Sequence, residues 1–413
     1  VKASIIAGAI LTLAAPAFAA PTPAPNAKLL AAVKACDRDS RALEEKVVGL
    51  DSGSADRDGV NAVGAVFTAE LKALGATVKA VPSAPGGPWG DNVVATLTGT
   101  GKGRILLIAH MDTVFSKGDV ARLKPHWQGD TYFGPGAGDD KSGGVTAICA
   151  LKALAATDFK DFARIDVLLN ATEEIGSPGS KDLIAAMAKD ADLAINLERG
   201  VPKDGMVIAR KGSGTLTFEF TGRAAHSGLE PEKGRNAALE AARVALALGA
   251  LADPAKQTTV TVDILQGGDK TNVVPDKAVV RADVRAFSTA EFDRVEAAAA
   301  AIAGKPGIDG VTIRSSLARG FPPWPRLPAA DAMLVRANRL DAELGRKLEP
   351  VTVGSSADSS LAAAAGTPTI DGFGMEGEGA HSVDDQAYFD TLTPRAYLLA
   401  RMLMDVGHDP KGR

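Results

Sequence analysis

Histidines and carboxylates recur along this chain in the types and spacings that hold divalent cations: His110 with Asp112, Asp139, the adjacent Glu173 and Glu174, Glu198, and His381. Cations of hard or borderline character take imidazole and carboxylate ligands, and a catalytic site leaves one position open for water. The set points to a bridged pair of metal ions with a base beside it, which is hydrolytic chemistry.

Each segment alone has a blander reading. A histidine two residues from an aspartate is more often a satisfied core residue. Adjacent acids are common at solvated helix starts. His381 by itself would pass for a surface histidine, as His126 and His408 do here, since neither has an acid at ligand spacing. The glycine-dense stretch 134–144 could suggest a phosphate loop, but that motif needs Gly-Lys-Ser/Thr. Here Asp140 precedes Lys141 and puts negative charge where phosphate would sit. A carboxylate bridging two cations fits better; Asp139 is the candidate and Asp140 its support. Asp112 is close enough in sequence to orient the second ring nitrogen of His110. Glu173 and Glu174, being adjacent, point in different directions, so one can ligate while the other moves protons.

These residues need elements that bring them together. Apolar residues recur at helical spacing over 26–50 and 58–74. Short Val/Ile/Leu-rich runs follow at 92–98, 104–109, 164–170 and 191–197, separated by helical patterns at 142–156 and 179–189. That alternation predicts an α/β fold with a largely parallel, buried sheet. His110, Glu173 and Glu198 each follow the end of such a run, where open α/β sheets bind ligands. Between 213 and 320 the pattern becomes strand 214–222, helix 235–251, strands 258–265 and 278–286, helix 289–303 and strand 311–318. This β-α-β-β-α-β order is a split βαβ unit. It reads as a lid or dimerisation domain at 213–320, inserted into a discontinuous catalytic domain at 26–212 and 321–413.

Composition narrows the partners. The chain has 413 residues, 46 basic against 50 acidic, for a net charge of −4. No basic footprint for nucleic acid and no polybasic membrane patch is present, so small molecules are the expected partners. Residues 1–19 have the layout of a secretory signal peptide, with Lys2, an apolar run and Ala17-Phe18-Ala19 before the cleavage point. Its apolar core is shorter than the ~20 residues that span a bilayer. A periplasmic or secreted protein, free of the membrane after cleavage, is expected. Two cysteines, Cys36 and Cys149, make no disulfide framework and are expected as buried thiols, with one long-range disulfide as the lesser possibility.

Ala109-His110-Met111-Asp112-Thr113-Val114, the run 134–141 and Thr172-Glu173-Glu174-Ile175-Gly176-Ser177, in that order, resemble the M20 metallopeptidases, and among them the glutamate carboxypeptidase (carboxypeptidase G) branch. The resemblance runs from about residue 30 to the C-terminus. It implies two Zn2+ per chain, with Co2+ or Mn2+ as substitutes: Asp139 bridging, His110 and Glu198 completing one site, Glu174 and His381 the other. It makes Glu173 the general base toward a metal-bridging hydroxide, and Asp112 the residue that orients His110. It implies that His226, Asn272 and Arg285 bind substrate, His226 often across a homodimer. The implied reaction is hydrolysis of the amide bond to a C-terminal amino acid, glutamate among the candidates, of a small peptide or N-acyl amino acid. An N-acyl-amino-acid or N-succinyl deacylase is the same-chemistry alternative, and a non-catalytic solute-binding protein on the same scaffold the alternative of another class. Two departures bear on specificity: Arg199-Gly200-Val201 stands where relatives usually have Pro-Thr or Pro-Ser, and Phe321 stands where glutamate-preferring relatives tend to have a basic residue. Arg319 and Arg326 are the candidates to replace it.

Overall fold

The computed structural model describes residues 23–83 and 87–412; the expected signal peptide lies outside the described residues. A six-stranded sheet runs in the order Thr77–Pro82, Asp91–Thr98, Arg164–Asn170, Arg104–His110, Leu193–Asn196, Thr369–Ile370. The last four strands are mutually parallel, and Asp91–Thr98 runs antiparallel to its neighbour.

Side chains of a strand alternate between faces, and both faces of this sheet are covered, so its central strands are mostly apolar, with buried Asp166 paired to Thr96 and Arg164. Ile105, Leu107 and Ala109 face one way and pack with Val145, Ile148 and Leu398; Leu106 and Ile108 face the other and pack with Ile184 and Leu361. The sandwiched helix Ser142–Ala156 is buried nearly all round, which its Ala/Leu/Ile/Val-rich sequence permits. Among the described residues no helix is long and apolar enough to cross a membrane.

The stretch expected as one helix over 26–50 is two, Ala27–Ala35 and Asp37–Val48, broken at Cys36. That break sits against helix Ser142–Ala156, and Cys36 is joined there to Cys149 by a disulfide with Cα atoms 5.9 Å apart. The expectation of two buried thiols is thereby corrected. Periodicity could not show it, because the pairing depends on how two helices distant in sequence pack.

A second sheet has the order Thr259–Gly267, Lys277–Ala286, Gly212–Thr221, Thr312–Arg319, antiparallel throughout. Helices Ala237–Leu248 and Thr289–Ala303 cover one face and share an apolar cluster with it, built from Phe218, Phe220, Val244, Val280, Phe292 and neighbours. Asn236 and Ser288 cap the two helices, accepting backbone N–H groups of Leu239 and Glu291. Phe321, just beyond the last strand, packs instead with the core of the parallel sheet.

A third, small sheet joins two hairpins in the order Gly377–Glu378, Gln386–Tyr388, Thr131–Phe133, His126–Gln128. It fixes the entry to the glycine loop beside the segment that carries His381.

Candidate metal centre and its cleft

Strand Arg104–His110 lies between Arg164–Asn170 and Leu193–Asn196, all parallel, so three neighbouring carboxyl ends open onto one edge. His110 ends the central strand. Glu173 and Glu174 begin the helical turn Glu173–Ile175 on one side, and Glu198 follows two residues past Asn196 on the other. His110, Asp139, Glu173 and Glu198 are buried, Glu174 is half-buried and His381 is exposed on the rim.

Asp139 comes from the turn Ala137–Lys141, where Asp139 and Asp140 leave helical geometry before helix Ser142–Ala156 begins. Its Oδ1 lies 3.2 Å from His110 Nε2 and its Oδ2 3.4 Å from His381 Nε2. Each imidazole has a further carboxylate: Glu198 Oε1 at 3.8 Å from His110 Nε2, and Glu174 Oε2 at 3.0 Å from His381 Nε2. His381 reaches this position with φ of 62°, in the left-handed region. Asp385 ties the two loops together: its carboxylate accepts the N–H groups of Gly136 and Gly138 at 2.7 and 3.0 Å.

The electrostatics show a cluster with more buried carboxylates than cations. Burial pushes Glu198 up to about 8, reinforced by the Asp139 charge. Burial likewise drives Glu173 and Asp140 well above the usual carboxylate range and raises Glu174. Burial opposes ionisation of Asp139 too, but hydrogen bonds with His110 and His381 outweigh it and hold Asp139 well below its ordinary value. Hydrogen bonds to Asp139 and Glu174 lift His381 to about 10. Carboxylates crowded this way ionise readily only beside cations. The buried Oδ1 of Asp140 has no hydrogen-bond partner. Ligand atoms of His110, Glu173 and Glu198, and of His110, Asp139 and Glu174, lie within 4.8 Å of one another. This donor set, imidazole nitrogen with several carboxylate oxygens, fits divalent cations.

Asp112 is buried beneath the cluster. His110 Nδ1 donates to the backbone oxygen of Asp112 at 2.9 Å, while the Asp112 carboxylate is 3.6 Å from that nitrogen. The ring thus meets Asp112 twice, through its main-chain oxygen at hydrogen-bond distance and through its carboxylate at ion-pair distance. The carboxylate instead accepts the N–H of Glu173 at 2.9 Å, the N–H of Glu174 at 3.2 Å and the Ser54 hydroxyl at 2.6 Å. The Glu173 carboxylate itself makes no hydrogen bond or ion pair among the described residues, and it lines a cleft of about 1130 Å3 that also exposes Asp139, Glu174, Glu198 and His381.

Residues 106–405, which include His110, Asp139, Glu173, Glu174, Glu198 and His381, match peptidase family M20/M25/M40. Carboxypeptidase G2 from Pseudomonas sp. (strain RS-16) is 34% identical over 88% of this chain and 88% of its own length. The chain belongs to the M20 family. One component of the p-aminobenzoyl-glutamate hydrolase of Escherichia coli (strain K12) is 34% identical over 37% of each chain. A tripeptidase from Staphylococcus aureus superposes with a TM-score of 0.75 at 20% identity, over 90% of this chain and 99% of that one, which shows a shared fold. The chain is a metallopeptidase of M20 type, an enzyme acting on C–N bonds.

Of the residues read as substrate contacts in this M20 chain, only Arg285 lines the cleft. It ends a strand of the antiparallel sheet, with Nε 2.9 Å from Asp283 and Nη1 donating to Ser356 at 3.3 Å. His226 and Asn272 are exposed on the antiparallel-sheet unit and are not among the residues lining the cleft. The His226 ring accepts the N–H groups of Gly228 and Leu229 instead. Arg319 lines the cleft, yet its guanidinium is held by Asp293 and Glu296 at 2.6 and 2.7 Å. Arg326 bonds Asp331 and does not line the cleft. Phe321 does line it.

Sequence reading missed three contributors. Ser54 and Asp385 act through contacts between distant segments, and nothing local marks them. Arg210 had a signal: a cation ending the apolar strand Gly205–Arg210, much as His110 ends its own.

Proposed function

We propose that this M20 chain is a zinc-dependent exopeptidase that hydrolyses the amide bond to a C-terminal amino acid, glutamate foremost, in small peptides or N-acyl conjugates. The observation that carries the reading is the position of Asp139, one carboxylate oxygen toward each of two imidazoles, each imidazole with its own glutamate. His110, Asp139 and Glu198 would hold one cation, and Asp139, Glu174 and His381 the other. Two bound Zn2+, Co2+ or Mn2+ ions would polarise the amide carbonyl and acidify water.

The protein's own groups divide the remaining work. Glu173, fixed by its N–H to Asp112 and with an unbonded carboxylate facing the cleft, takes the proton from water and returns it to the leaving nitrogen. Arg285 presents a planar fork for a substrate carboxylate. The names of carboxypeptidase G2 and of the p-aminobenzoyl-glutamate hydrolase support a glutamyl amide as the first substrate to try. His226 and Asn272, exposed and outside this chain's own cleft, would serve the cleft of a second copy in a homodimer. The leader-like residues 1–19 and the Cys36–Cys149 disulfide support export to an oxidising compartment, the periplasm or beyond.

Purified protein would be assayed for metal content and for hydrolysis of acylated and peptidyl glutamate, with and without a chelator. Glu173→Gln is expected to lower kcat by about 100- to 10,000-fold while metal content stays that of the wild type. Retained turnover in that variant would remove Glu173 from its role. Product analysis on N-acetyl and N-succinyl amino acids against dipeptides separates the carboxypeptidase from the deacylase.

A further inference from the structure

Arg210 is a buried guanidinium in the cleft wall whose hydrogen bonding is incomplete. It is 5% exposed, yet it lines the cleft. Nε donates to Asp371 Oδ2 at 2.6 Å and Nη1 to the Ser355 hydroxyl at 3.0 Å. Asp371 also accepts the Ser359 hydroxyl and the Gly372 N–H, so it is fully engaged. The third nitrogen, Nη2, has no hydrogen-bond partner among the described residues, and Arg210 is one of the residues that line the cleft. Buried donors are normally paired, and an unpaired donor on a fixed cation is a place for an anionic acceptor.

Its neighbour across one turn makes the match specific. Ser355 contacts Arg210 and the adjacent Ser356 contacts Arg285, so two guanidiniums flank consecutive residues whose Cα atoms are about 3.8 Å apart. Two anion-binding groups on one short turn suit a ligand with two carboxylates. The other cleft cations are less suited: Arg319 is held by two acids, Lys181 donates to the Gly320 carbonyl oxygen, and Arg199 is only half-buried. Phe321 supplies an apolar surface to the same cleft.

We propose that Arg210 is the specificity-determining residue of this cleft, receiving the side-chain carboxylate of an acidic C-terminal amino acid while Arg285 receives its main-chain carboxylate. The inference rests on the exopeptidase reading above. It places acidic selectivity at the end of a strand whose Arg210 pairs through the main chain with Trp324, three residues beyond Phe321.

The test compares N-acyl-glutamate with the isosteric N-acyl-glutamine, and calorimetric binding of free glutamate with that of glutamine, in the metal-loaded protein. Wild type should favour glutamate by about 10- to 100-fold in both assays, as expected for one charge-assisted contact. Arg210→Lys, and Arg210→Met combined with Asp371→Asn so that no buried carboxylate is left unpaired, should lose that preference, read as the ratio of kcat/KM between the two substrates and as the ratio of the two binding constants. Arg199→Ala should retain it. Equal losses on both substrates would make Arg210 a structural ion pair only. Absence of a preference in wild type, or its loss in Arg199→Ala alone, would also overturn the assignment. Should wild type hydrolyse no N-acyl amino acid, the exopeptidase reading fails by itself, and the binding comparison still decides whether Arg210 selects the dicarboxylate.

Discussion

The carboxylate of Asp112 holds Glu173 by its main chain, accepting the Glu173 N–H at 2.9 Å from a fully buried position. It accepts the Glu174 N–H and the Ser54 hydroxyl as well, so one side chain fixes the turn that carries both glutamates. Asp112→Ala leaves these buried donors unpaired, at a cost of about 1–3 kcal/mol each. We expect kcat to fall by about 10- to 100-fold and metal affinity to weaken, measured by steady-state kinetics and metal titration. Asp112→Asn, which offers one acceptor oxygen to three donors, should fall between. An alanine variant with wild-type kinetics would show that the turn holds itself.

Gly143 tests how tightly the glycine loop is pressed against the sheet. A Cβ there would collide with Asp140 Oδ1 and with the Leu197 carbonyl oxygen. The second contact is backbone and cannot swing away. Gly143→Ala should therefore cost about 1–3 kcal/mol of stability and displace Asp139 from between its histidines, read as a lower Tm and reduced metal content. A variant with unchanged metal content would separate the loop's packing from the cluster.

The metal-free protein should lose stability as pH rises. Glu198 titrates near 8 in the folded chain against an ordinary 4.5, so between those values the native state binds more protons than the unfolded state. His381, lifted to about 10 by Asp139 and Glu174, contributes stability that is complete below its ordinary 6.5 and lost as pH climbs through 10. Both slopes have the same sign. Asp139, held low, acts in the opposite direction only in strong acid. Chelator-stripped protein should thus melt at progressively lower temperature from about pH 5 to about pH 8, above which Lys141, pushed down to about 8 by burial, acts in the opposite direction. Metal uptake near neutrality should release protons, because ligands bind deprotonated. A rising Tm over that range would contradict the charge balance described for the cluster.

The Cys36–Cys149 bond closes a span of 113 residues and staples the broken N-terminal helix pair to helix Ser142–Ala156. Disulfides of long span typically contribute about 2–4 kcal/mol. Cys149→Ala, or reduction of wild type, should lower Tm by several degrees and leave kcat nearly unchanged, since neither cysteine lines the cleft. Thermal melts with and without reductant check this; an unchanged Tm would mean the helices dock without it.

The metal-binding residue types, and the strand ends that carry three of them, were legible in the chain because both depend on short-range patterns. An apolar run of six or seven residues reads as a buried strand, and the polar residue after it reads as a strand-end ligand. His110, Glu173 and Glu198 could be placed on one edge for that reason. The strands and helices of the antiparallel-sheet unit were likewise legible from alternation and helical period, within a few residues of their bounds.

What the sequence could not decide was everything that depends on which distant segments touch. The approach of His381 to Asp139 rests on the small sheet and on Asp385, the tie between Cys36 and Cys149 on helix packing, and the partnership of Arg210 with Asp371 and Ser355 on parallel pairing of Glu349–Val353 with Gly205–Arg210. Asp112 shows the division within one residue. Its position two places after His110 suggested a side-chain contact to the ring; in the fold the carboxylate stands 3.6 Å from Nδ1, the shorter contact goes to the Asp112 carbonyl oxygen, and the carboxylate also accepts from Glu173, Glu174 and Ser54. Local sequence thus settled which chemistry is carried. Tertiary structure alone settled the partners, because a hydrogen bond depends on separation in space, which chain order does not specify.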